Sequence, residues 1–217
     1  MNFKTLGRLA GVLAVTAGLA GCIDVNAEIE VLSETTGKAT TTMTMSSEFY
    51  PMVKQMAAAG GDDSDDAESE AGSDFCTEAD AVLTENADGS ATCVSTKQGD
   101  FKTITEGDGG SPNEDTTFTV VSPGVVRVVF KTSEMKSQVT EGSGGGQSAE
   151  DAQALAMIKP YFEGHSIAIK VKGKRITDTN MTLAGDGSSA ETTIPFTDLL
   201  SGSASIPDEL YAVVDTN

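Results

Sequence analysis

Tryptophan is absent from this 217-residue chain, histidine occurs once, at His165, and aromatic residues make up only 5% of it. So few rings exclude a stacking platform for bases. A single imidazole without a Cys-x-x-Cys pair leaves no ligand set for zinc. Basic residues are scarce as well: 14 Lys and Arg stand against 33 Asp and Glu, a net charge of −19. That sign excludes nucleic acid, whose phosphates need a basic footprint, and it opposes broad adsorption to anionic lipid. Catalytic signatures are also missing. No Gly-x-Ser-x-Gly turn occurs, and no glycine spacing fits a dinucleotide or P-loop site. Any His-dependent nucleophile would have to use His165, whose parity with Ile167 and Ile169 marks a structural residue. The expectation is a chain that is not an enzyme and takes no cofactor and no metal.

What is present begins with a secretory layout. Lys4 and Arg8 precede a mostly apolar, charge-free run from Leu9 to Leu19, which Leu19-Ala20-Gly21-Cys22 closes. The run is too short for a transmembrane helix, which needs about 20 residues. Leu-Ala-Gly-Cys resembles a bacterial lipobox. That resemblance implies that residues 1–21 are a lipoprotein signal peptide that is removed, and that Cys22 is acylated and anchors the chain to a membrane. Acyl chains contribute about 0.8 kcal/mol per buried CH2, so two or more hold durably. The expected location is the cell envelope, facing the periplasm or the outside. Ile23, not an acid, follows Cys22, which favours the outer membrane, while Asp24 at the next position keeps the inner membrane open.

With Cys22 given to the anchor, Cys76 and Cys93 form an even pair in an oxidising compartment, and a disulfide between them is expected. Residues 22–217 read as one domain. Val25, Ala27, Ile29 and Val31 alternate with polar residues, and Ala39, Thr41, Met43 and Met45 do so again after a turn at Thr35-Thr36-Gly37, a hairpin pattern. Phe49, Met52, Val53 and Met56 then fall on one stripe of a short helix. An acidic insertion at 60–74 carries six carboxylates from Asp62 to Glu70 and no large apolar residue from Gly60 to Ser73, which predicts a solvated, disordered stretch. No frame in it supplies both the Gly and the bidentate Glu of a calcium loop.

Cys76 to Leu83 is expected as a helix-like or irregular arm, followed by a turn at 86–89 and a strand through Cys93. Thr116–Val121 and Val125–Phe130 read as a buried central hairpin, apolar on both faces. A Gly/Ser linker at 142–147 leads to a helix from Ser148 to Phe162 that starts like a capping box. Ile167–Val171, Ile176–Leu183 and Ala190–Phe196 are further strands, Thr197–Leu200 makes one helical turn, and Ile206–Val214 finishes the domain. The sum is an α+β fold: an antiparallel sheet of six to eight strands with two helices packed on one face.

Three strings stand together behind the lipobox: residues 31–40 (VLSETTGKAT), Gly173-Lys174-Arg175-Ile176 with Thr179-Asn180, and residues 194–200 (IPFTDLL). They resemble the LppM-like group of bacterial lipoproteins. The resemblance implies a curved antiparallel sheet in an α+β domain, a non-enzymatic envelope role, and lipid or glycolipid handling of the kind suggested for some relatives. This chain departs from the group in its acidic insertion and in lacking the C-terminal transmembrane helix of some members.

Two further groups of residues are candidates for contact. Lys170, Lys172, Lys174 and Arg175 gather cations around one turn, a contact for lipid headgroups or for an acidic partner, set against a solvated strand face that counters local acids. Met43, Met45, Met52 and Met56 suit either a pliable apolar lining or plain core filling. The functional expectation is a non-catalytic envelope lipoprotein that binds a lipid in an apolar groove. The alternative is a scaffold or assembly lipoprotein that binds another envelope protein.

Overall fold

The computed structural model describes residues 23–59, 74–76, 80–105, 116–133, 159–160, 162–200 and 206–217. Cys22 and the signal, the acidic stretch 60–73, the linker at 142–147 and most of the helix read from Ser148 lie outside the described residues. The first strands follow the alternation of the sequence. β1 (Ile23–Val31) and β2 (Thr36–Met45) pair antiparallel in one unbroken register, Ile23 against Met45 through Val31 against Gly37. Side chains on a strand point alternately to opposite faces. Hence Ile23, Val25, Ala27, Ile29 and Val31 share the inner face with Met45, Met43, Thr41 and Ala39.

β3 (Val82–Glu85) and β4 (Ala91–Asp100) form the next hairpin, turned by Asp88, whose carboxylate accepts from the Ser90 amide at 2.9 Å. The irregular arm expected here is thus partly a strand, and among its described residues Asp74–Cys76 forms a single 3-10 turn. β4 lies against β2, and β7 (Ser166–Lys172) lies on the other side of β1. β10 (Ser189–Pro195) and the two-residue β9 (Thr182–Leu183) complete a seven-stranded sheet in the order β3-β4-β2-β1-β7-β10-β9. β1 and β7 run parallel, Val25 beside Ile167 and Glu30 beside Lys172. The expected all-antiparallel sheet is therefore corrected to a mixed one.

A second sheet of four strands has the order β5-β6-β11-β8, all antiparallel, and comprises β5 (Thr116–Ser122), β6 (Val125–Lys131), β11 (Glu209–Asp215) and β8 (Arg175–Thr179). The run read as one strand from Ile176 to Leu183 is split between the two sheets. Asn180 divides it: its amide donates to the Glu209 carbonyl at 2.8 Å, and its oxygen accepts from the Tyr211 N–H at 2.8 Å. β6 alternates buried and half-buried residues, but β5 is an exposed edge, which corrects the reading of both strands as a buried centre.

The main core joins the sheets. Ile29, Val31, Ile167, Ile169, Val171 and Ile194 from the first pack with Val126, Val128, Leu210, Ala212, Val214 and Ile176 from the second. Helix α1 (Tyr50–Ala59) belongs to a second, smaller cluster, where Tyr50 and Val53 meet Ile23, Met45 and Ala91. Two short helices close the ends. α2 (Phe101–Thr105) is capped by the Asp100 carboxylate, which accepts from the Thr103 amide at 2.7 Å. α3 (Phe196–Leu200) buries Phe196 and Leu199. The α+β class stands, with its sheet divided in two.

Candidate functional site

The inner face of the seven-stranded sheet is covered at two places, and the two hydrophobic clusters share one half-buried residue, Val25. Between them the register lines up Ser95, Thr41, Ala27, Ile169 and Thr192 in one row across five strands. Its first three side chains are small. The row beside it contains Cys93, Met43, Val25, Ile167 and Ile194. Small residues flanked by larger ones mark this row as the candidate furrow of the sheet face. Ala27, Thr41 and Met43 are half-buried there, whereas Ile29 and Met45 on the same face are buried. The two rows together are mainly apolar, with the Ser95, Thr41 and Thr192 hydroxyls as their polar points. That composition suits an acyl chain or another apolar body and offers no acid, base or nucleophile in pairs.

Helix α1, packed on the smaller cluster, is held to β3 at two points. Tyr50 donates its hydroxyl to Glu85 on β3 at 2.9 Å, and Lys54 reaches the same carboxylate oxygen at 2.7 Å. The Lys54 ammonium holds the Glu85 carboxyl below the usual range, and the Tyr50 hydrogen bond adds to this. Burial is the leading cause that pushes the Tyr50 hydroxyl up, while hydrogen bonding to Glu85 raises Lys54. Beyond α1, Cys76 and Cys93 form a disulfide with their Cα atoms 5.6 Å apart, as the sequence pairing anticipates. It fastens the 3-10 turn to the inner face of β4, where Phe75 sits 6.3 Å from the Tyr50 ring.

The four cations read from the sequence do not make one patch. Lys170 and Lys172 project from the outer face of the first sheet and pair with Glu191 and Glu28, each at 3.3 Å. Arg175 belongs to the second sheet and pairs with Asp215 at 2.6 Å. Lys174 is exposed at the turn between them. Neutralising partners leave most of this charge already used. Its position matters too. β1 runs from Ile23 to Val31, about 26 Å at the usual rise, and Lys172 lies beside Glu30 at the far end. These cations thus stand at the opposite end of β1 from residue 23.

His165 sits at the near end. Its Nδ1 is 3.1 Å from one Asp24 oxygen, and the other oxygen accepts from the Ser166 amide at 2.9 Å. The pair ties the first residues of β1 to β7, a structural task, and no described nucleophile is hydrogen-bonded to the ring. Among the methionines, Met45 is core at 1% exposure, Met43 lines the furrow, and Met52 is exposed. Met56's side chain lies outside the described residues. Among the described residues no group of three or more His, Cys, Asp or Glu side chains could hold a metal ion, and no helix is long and apolar enough to cross a membrane.

The sequence alternation names Ala39, Thr41, Met43 and Met45 as one face. The hairpin alternation names Ala27 as well, whereas Ser95 enters the site only through the pairing of β4 with β2, which no local pattern encodes.

The chain matches no protein-family model, and no curated protein matches it. Among solved structures it is similar to the folded domain of Mycobacterium tuberculosis LppM, determined by NMR. The alignment covers 90% of this chain and 91% of that one, at 8% identity and a TM-score of 0.43.

Proposed function

We propose that this protein is a non-catalytic lipoprotein of the cell envelope, anchored through Cys22, that holds a lipid or glycolipid acyl chain in the furrow on its inner sheet face. The observation that carries the reading is the division of one sheet face into two hydrophobic clusters that share Val25, with Ala27 and Thr41 half-buried beside it and Met43 packed on the rim of the smaller cluster. A protein without need of the furrow gains about 25 cal/mol for every Å2 of apolar surface it covers. The lipobox at Leu19–Cys22 supports the anchor, and the disulfide supports an oxidising compartment.

Because the chain has no tryptophan, Met43→Trp supplies a single fluorescent reporter inside the furrow. Added phospholipid with brominated acyl chains should quench that reporter, and Met52→Trp on the exposed side of α1 should be quenched less. Equal quenching at both positions would remove the furrow from the account. Anchoring has its own check, since Cys22→Ser should abolish palmitate labelling and release the chain from the membrane fraction.

A further inference from the structure

The four sheet edges among the described residues are not alike. β9 is two residues long, and β3 is four residues long and ends in Glu85. β8 carries Arg175 and Asp178, and its pairing with β11 is broken by a register shift. Short length, charge and irregularity are the usual devices that keep a strand edge from pairing with another chain. β5 has little of this protection. Thr-Thr-Phe-Thr-Val-Val-Ser runs seven residues without a charge or a proline in a chain that is 22% charged, and the regular ladder with β6 extends from Thr116 to Val120 before a bulge at Val121.

The core is also incomplete at this edge. Phe118 and Val120 project to the same side as Val128 and Val126, which are fully buried. Phe118 is covered by the Phe101 ring, stacked at 4.2 Å, but Val120 remains 49% exposed and its neighbour Val121 52%. The outer side of β5 has no strand partner among the described residues, and an extended edge of this kind can be paired by another extended strand. β5 itself has the composition such a strand needs, with β-branched and aromatic residues and no charge to repel its twin across a two-fold axis.

We infer that β5 is a self-association edge. Two copies pair antiparallel through it, with the axis near Phe118 and Thr119, joining two four-stranded sheets into one and covering Val120. A second copy fits better than a foreign acidic or basic segment, because an edge with no charge offers nothing for charge to recognise. The strongly negative charge of each copy opposes approach, so the contact strengthens with salt. The screening length shortens from about 30 Å at 0.01 M to about 8 Å at 0.15 M.

The test places one cysteine at the edge of the full chain in bacterial envelopes. Thr119→Cys treated with a short bis-maleimide should give a crosslinked dimer above the parent background. Thr177→Cys on the opposite edge should not. The Thr119→Cys yield should rise between about 0.01 M and about 0.15 M salt. Val120→Glu added to Thr119→Cys should return the yield to background, while its melting temperature shows that the exposed substitution leaves the fold intact. Equal crosslinking at both edges, or a yield untouched by a folded Val120→Glu variant, would overturn the inference.

Discussion

Single carboxylates set the acid limit of this fold. Hydrogen bonding to Lys54 leads the downward shift of Glu85, and bonds to Ser90, to the amides of Thr103 and Ser188, and to Asn217 lead those of Asp88, Asp100, Asp186 and Asp215. A group depressed in the folded state contributes stability that is present above its unfolded value and is lost as pH falls through the folded one. The melting temperature should therefore hold from pH 7 to about 5 and decline below about 4, where these groups take up protons. Glu85→Gln should flatten part of that decline. Asp24 acts at the same scale through its hydrogen bonds. Asp24→Ala removes the acceptor of the Ser166 amide and the partner of His165, and should cost about 1 kcal/mol in denaturant unfolding. His165 was legible as structural because its parity with Ile167 already placed it at the rim of a core strand. Its partner was not, since Asp24 lies 141 residues away in sequence.

At the scale of elements, local pattern identified strands and missed their neighbours. β1, β2 and α1 were legible because alternation of period two and a 3.6-residue stripe are direct consequences of backbone geometry. β5 and β6 look equally β-branched, yet one is an edge and the other central, because propensity measures fit to a pleated surface and carries no word about what lies on either side. The corner between β7 and β8 shows what an element boundary demands. A Cβ on Gly173 would stand 2.2 Å from the Val214 side chain, so Gly173→Ala should lower stability by about 1–3 kcal/mol through overpacking. The disulfide works between elements. Cys76→Ser with Cys93→Ser frees the 3-10 turn from β4 and should cost about 3 kcal/mol, seen as a lower unfolding midpoint that added reductant no longer changes.

The whole molecule is a mixed sheet whose inner face is shared between a sandwich core and a helix-covered cluster. The class, α+β, could be read from the order of strands and helices. The parallel β1–β7 pair and the second sheet could not, because both depend on contacts between distant segments that no local period records. The furrow inherits that limit. Ser95, Thr41 and Ala27 are unremarkable on their own strands and form a site only once register brings them into one row. The cationic turn at Lys174 follows Lys172 at the opposite end of β1 and β7 from residue 23.

The most direct measurement is mass spectrometry of organic extracts from residues 23–217 purified after export in a lipid-rich host, alongside the Ala27→Phe variant that fills the furrow. The account predicts about one lipid per chain in the parent and its loss in a variant that melts at a similar temperature. A parent that purifies free of lipid, or a variant that retains it in full, would contradict the account, and the lipid-free result would favour the envelope scaffold in its place.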